Sequence, residues 1–137
     1  MILIDTGPLV ALCDPRDELH GRAVADLNGL ARQQLLSCDA VLTEACFHLP
    51  HPMQRARLRA LIDELEIEPA MTHGRVFQDQ VFDWLAKYAD HKPDWADGCL
   101  AVISGRDRQA KIWTYDREFR TTWRRLDRTA IPLALRR

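Results

Sequence analysis

The residues that most restrict how this chain folds are its first eight, Met1-Ile2-Leu3-Ile4-Asp5-Thr6-Gly7-Pro8. Three aliphatic side chains run directly into an Asp, and a turn follows at once. A short unbroken apolar run bounded by Gly and Pro suits a strand covered on both faces, and such strands belong to parallel sheets. Open sheets of that kind hold ligands outside the carboxyl ends of their strands. Asp5 stands at such an end and is the first candidate functional side chain.

The rest of the chain alternates short apolar runs with helical periodicity. The spacing predicts a helix from Leu9 to about Cys13 and another from Glu18 to Arg32, with Val24, Leu27 and Ala31 inward. Leu35 to Cys38 is a second buried strand, and Asp39 is placed to cap the next helix. That helix carries Leu42, Ala45, Cys46 and Leu49 on one stripe with Glu44 beside it. Leu58, Leu61, Ile62 and Leu65 mark an amphipathic helix, and Ile67 to Ala70 a brief strand. A helix from His73 to Tyr88 turns Phe77, Val81, Trp84, Leu85 and Tyr88 inward. Within Pro93 to Gly105, the residues Ala96, Cys99, Leu100 and Ile103 form a further stripe. Lys111 to Asp116 repeats the opening pattern, a strand ending in Asp. Arg117 to Leu126 then reads as helix and Ile131 to Leu135 as a last edge strand. Strands alternating with helices predict an α/β fold, a three-layer α/β/α sandwich around a mainly parallel sheet. The 137 residues form one domain, 1–137, since domains commonly run ~100–150 residues.

Composition excludes several classes. A 47% hydrophobic content is that of a folded protein, and no apolar run approaches the ~20 residues of a membrane span. No basic region precedes the first strand as in an export signal, so the cytoplasm is the expected location. Cys13, Cys38, Cys46 and Cys99 form no C-x-x-C pair and are expected to be reduced and mostly buried. The net charge of −1 does not by itself announce a polyanion partner, but its distribution is uneven. Seven Arg lie between Arg117 and Arg137 against Glu118 and Asp127, and Arg55, Arg57 and Arg59 form a second basic group. Such patches beside an acidic site suit a phosphodiester backbone, or are simply a solvated face.

Two strands end in an acid, Asp5 and Asp116, and two helices begin near one, Glu44 and Asp97. In a parallel sheet these positions gather on one edge. Each acid alone has an ordinary reading as a turn, cap or surface residue, and Asp94 after Pro93 reads as an N-cap. Four together repel one another unless a cation lies between them. Hard, oxygen-seeking Mg²⁺ or Mn²⁺ are the natural cations, and they acidify water and offset charge on a phosphoryl transition state. No Gly-x-x-x-x-Gly-Lys loop or Gly-x-Ser-x-Gly elbow is present.

In order, Ile-Asp-Thr-Gly-Pro-Leu-Val-Ala-Leu, Leu-Thr-Glu, Asp-Trp-Ala-Asp-Gly-Cys-Leu-Ala-Val and Thr-Tyr-Asp-Arg-Glu-Phe resemble a PIN-domain ribonuclease, closest in flavour to VapC-type toxins. The resemblance runs from Ile2 to about Leu135. It implies that Asp5, Glu44, Asp97 and Asp116 are the four family acids. Asp94 corresponds to an additional ligand found in some members, and Thr6 and Thr114 to hydroxyls near the metal. It implies a Mg²⁺- or Mn²⁺-dependent endoribonuclease, often a homodimer, inhibited by a small antitoxin whose C-terminal segment fills the acidic cleft. Asp5, Asp97 and Asp116 would bind the first ion, with Glu44 completing the site directly or through water. Arg117, Arg120, Arg124 and Arg125 are the expected phosphate contacts. One departure is Gly98, where the family usually has Ala. A haloacid-dehalogenase-like phosphatase also begins with a strand ending in Asp, but it needs a second Asp where this chain has Gly7. The remaining alternative is a PIN-fold protein that binds RNA or a partner without cleaving.

Overall fold

The computed structural model describes residues 1–136. Strand β1 (Ile2–Ile4) lies at the centre with all three side chains buried. Helix α1 (Thr6–Cys13) starts directly after it, because the Asp5 carboxylate accepts the Thr6 N–H at 2.7 Å and caps the helix. The cap brings the helix start three residues ahead of the expected Leu9. Pro8 then falls in the first turn, where its missing N–H costs nothing. Helix α2 (His20–Leu30) is shorter than expected and turned by one residue. It buries Ala23, Asp26 and Leu30, while Val24 is 41% exposed. The stripe read from apolar spacing missed this, because one of the inward positions is an acid.

Strand β2 (Leu35–Ser37) leads into α3 (Asp39–His48). Cys38, not Asp39, is the N-cap residue, and Asp39 lies in the first turn, where a negative charge favours the helix dipole. Helix α4 (Pro52–Glu64) and the short β3 (Glu68–Pro69) follow. The apolar face of α4 packs on the core through Leu58, Leu61 and Ile62, with Leu65 just beyond it. Helices α5 (Arg75–Lys87) and α6 (Trp95–Arg106) pack along each other, with Phe77, Val81 and Trp84 buried between elements as expected. Each such side chain stabilises by about 1.5–3 kcal/mol. Strand β4 (Lys111–Trp113) completes a four-stranded parallel sheet of order β3-β2-β1-β4, with Leu3 opposite both Leu36 and Ile112.

Two C-terminal expectations change. The helix expected over Arg117 to Leu126 is only the single turn α7 (Glu118–Thr121). Beyond it the chain turns inward to bury Trp123 and Arg125. The Trp84 indole donates to the Arg124 carbonyl at 2.8 Å, and the Arg124 N–H donates to the Tyr88 hydroxyl at 3.0 Å. These bonds take the place of helical ones. The last segment meets β4 only through a parallel bridge, Ile112 to Leu133, instead of a full edge strand. Among the described residues no helix is long and apolar enough to cross a membrane.

The sheet order decides where a site lies. From β1 the chain moves outward through β2 and β3, then returns to β4 on the other side of β1. The reversal leaves a crevice at the carboxyl ends of β1 and β4, where Asp5 and Asp116 follow the strands.

Gly98 has a packing reason to be glycine. A Cβ there would stand 2.9 Å from Val81 Cγ1 and 3.3 Å from Trp84 Cε3. Both neighbours are fully buried. Gly98→Ala is therefore expected to destabilise by about 1–3 kcal/mol through overpacking, outweighing the ~1 kcal/mol of helix propensity that alanine brings. A thermal melt checks this, and a raised midpoint would contradict it.

Candidate active site

The crevice is a cleft of about 320 Å³ lined by Asp5, Glu44, Asp94, Asp97 and Asp116. The expected acids come from four separate places in the fold. Asp5 ends β1, Asp116 follows β4, Glu44 comes from α3, and Asp94 and Asp97 open α6. A sixth acid, Asp17, reaches the rim from the loop after α1, and nothing in its sequence setting marks it. His48 stands at the lip, exposed. No Lys or Arg lines this cleft among the described residues.

Hydrogen bonds hold the acids in place. Thr114 Oγ1 donates to Asp5 Oδ2 at 2.6 Å and accepts the Asp116 N–H at 2.9 Å, so one hydroxyl ties the two strand ends together. Asp116 Oδ1 accepts the Glu118 N–H at 2.9 Å, which starts α7. Asp94 and Asp97 cap α6 reciprocally: Asp94 Oδ1 accepts the Asp97 N–H at 2.8 Å, and Asp97 Oδ2 accepts the Asp94 N–H at 3.2 Å. Asp94 is thus the N-cap the sequence suggested and also a lining acid. Thr6 is buried with no well-aligned partner for its hydroxyl, although it lies close enough to Glu44 to ease that charge slightly.

Electrostatics show the strain of the arrangement. Burial raises the Asp5 carboxyl to about 6, with Asp116 and Asp94 adding to the rise and the Thr114 and Thr6 hydrogen bonds opposing it. Burial followed by the charges of Asp94 and Asp5 raises Glu44 to about 7. Burial followed by Asp94 raises Asp97 to about 8. Groups this perturbed in a cleft are what a cation site looks like without its counter-charge. Among the described residues no three acids, histidines or cysteines stand close enough together, as they lie, to hold a metal ion by themselves. An open, oxygen-only donor set suits a hard divalent ion that keeps several waters, and the Thr6 hydroxyl beside Glu44 is a further oxygen at the same wall.

The expected arginines divide. Arg117 and Arg120 are exposed beside the cleft, lining an adjoining hollow with Thr114 and Asp116. Arg124 turns its guanidinium to the Trp123 carbonyl at 2.9 Å. Arg125 is buried, with Nε donating to Ser104 Oγ at 3.0 Å, so it is a structural residue and leaves the set of phosphate contacts. Sequence reading also missed Tyr115, whose hydroxyl donates to Asp26 Oδ2 at 2.8 Å. The i,i+4 pair Arg22 and Asp26 was the available signal. Beyond Glu44 and Asp94 the cleft opens into a groove of about 740 Å³ that includes Phe47 and Trp95.

A parallel sheet with an acid-lined cleft at its switch point defines a PIN-like α/β protein. The profile of the PIN domain matches residues 2–123, and the chain belongs to that family. Among solved structures it is similar to the VapC20 toxin of Mycobacterium tuberculosis, with a TM-score of 0.73 and 19% identity over 88% of this chain and 93% of the other. No curated protein matches its sequence.

The raised carboxyls predict a pH dependence for the metal-free fold. Free carboxyls titrate near 4. A raised folded value stabilises fully below that pH and is lost as pH climbs through about 6 for Asp5, about 7 for Glu44 and about 8 for Asp97. In chelator the melting point should therefore be higher at pH 5.5 than at pH 8. Asp97→Asn, which keeps a carbonyl acceptor, should recover ~1 kcal/mol at pH 8, about 3–5 °C. A melting point that is flat over this range would contradict the raised carboxyls that burial and crowding in the cleft produce.

Proposed function

We propose that the protein is an endoribonuclease dependent on Mg²⁺ or Mn²⁺ and the toxin component of a toxin–antitoxin pair. The observation that carries this reading is the convergence of Asp5, Glu44, Asp94, Asp97 and Asp116 on one cleft that no Lys or Arg lines among the described residues. VapC20 is described as a toxin that cleaves the sarcin–ricin loop, and the shared fold supports RNA as the substrate here.

Asp5, Asp97 and Asp116 would hold the ion, with Glu44 and Asp94 completing the site directly or through water. When bound, such an ion acidifies a water and offsets charge developing on the phosphate. Thr114 fixes the Asp5 carboxylate and the Asp116 backbone in one geometry, so neither acid has to reorganise during turnover. With an ion in place Glu44 would be a carboxylate, within reach of a water held in the cleft. No covalent protein intermediate is required. Arg117 and Arg120 lie where the flanking backbone would run.

A small antitoxin and a second copy of the chain are the proposed partners. Exposed Phe47, Met71, Val76 and Phe82 supply apolar surface for such contacts.

Purified, antitoxin-free protein should cleave RNA with Mg²⁺ or Mn²⁺ and not in chelator. Asp5→Asn should lower the rate about 10²-fold or more, since an ion supplies several kcal/mol of charge stabilisation, while the melting point is unchanged or higher. RNA binding without cleavage by the wild type would favour the non-cleaving alternative. A variant as active as wild type would remove Asp5 from the machinery.

A further inference from the structure

We propose that a hollow beside the acid cleft, built around Arg22, is a subsite for an RNA backbone phosphate next to the scissile one; this rests on the nuclease reading above. The hollow measures about 560 Å³ and is lined by Arg22, Thr114, Tyr115, Asp116, Arg117 and Arg120. It shares Tyr115 and Asp116 with the acid cleft. Thr114 in its wall is the residue that holds Asp5. A strand whose scissile phosphate lies in the cleft therefore has a neighbouring phosphate within reach of the hollow.

Arg22 differs from a solvated arginine. Its guanidinium lies over the Tyr115 ring, 4.6 Å from the centroid, and its Nε is 3.8 Å from Asp26 Oδ2. Tyr115 is itself fixed, its hydroxyl donating to the same Asp26 oxygen. The side chain remains 38% exposed. Stacking and the carboxylate hold the planar fork, which leaves N–H edges free for a phosphate at little further cost in entropy. The charge pattern agrees. Six acids repel a polyanion from the cleft, and three arginines in the adjoining hollow offset that repulsion where the strand continues.

The test measures binding of a fluorescent single-stranded RNA oligonucleotide to Asp5→Asn protein across a salt series, with Arg22→Gln, Arg22→Lys or Arg120→Gln added. Arg75→Gln on α5, an exposed residue paired with Asp79, is the control of equal charge change. Arg22→Gln should weaken binding about fivefold and flatten the salt slope by about 0.7, the loss of one single-strand phosphate contact. Arg120→Gln should do the same. Arg22→Lys should retain the slope, which separates charge from any loosening of Tyr115. In active protein, Arg22→Gln should raise KM with kcat within about twofold. Binding and slope equal to the Arg75→Gln control would overturn the subsite, as would a loss of kcat at unchanged KM. If wild type cleaves no RNA yet the Arg22-dependent slope persists, the nuclease reading falls and the subsite stands.

Discussion

The burial and crowding of carboxyls at one edge of the sheet is the constraint on which the rest of the structure depends. Holding Asp5, Glu44 and Asp97 out of water beside Asp94 and Asp116 costs free energy at neutral pH: burial first, and the neighbouring acids second, push their carboxyls to about 6, 7 and 8. Packing elsewhere must offset that cost. The buried β1, the largely buried α6 and the aromatic wall of Trp84, Tyr88 and Trp123 supply it. Proteins commonly keep such strain where charge is needed for function.

Connectivity turns a repulsive set into an organised one. Because β1 is flanked by β2 on one side and β4 on the other, the chain reverses direction beside its own first strand. Asp5 and Asp116 meet there, and Thr114 joins them with two hydrogen bonds. Helices α3 and α6 begin on the same edge and contribute Glu44, Asp94 and Asp97. On either side of the acids the surface changes character, to an arginine-lined hollow at Arg22 and Arg120 and to an aromatic groove at Phe47 and Trp95. A linear polyanion crossing the cleft would meet all three environments in sequence.

Much of this was legible in the sequence, for reasons that are themselves physical. A strand covered on both faces must be apolar where it is covered, so Ile2 to Ile4 and the Ile112-Trp113 pair announced themselves, and with them the acids that follow. Helices with one buried stripe, such as α5, were equally plain. The misreadings share a cause: contacts between residues distant in sequence override local pattern. Asp26 is buried because Tyr115, 89 residues away, donates to it, so the inward face of α2 could not be read from its apolar residues. The turn after Thr121 depends on Trp84 and Tyr88 bonding the backbone of Arg124. Arg125 looks like its neighbours in a basic run, yet Ser104 on α6 holds it inside. Gly98 reads as a weak helix residue until Val81 and Trp84 are seen against it.

Calorimetric titration of the metal-free protein with Mn²⁺ at pH 7, repeated in buffers of different ionisation enthalpy, tests the role of the acid cluster most directly. A cation seated among carboxyls raised to about 6, 7 and 8 must displace their protons. Release of about one proton or more per ion, lost together with binding in Asp5→Asn, is the expected result. Binding without proton release, or unchanged in Asp5→Asn, would contradict a metal centre at this cleft.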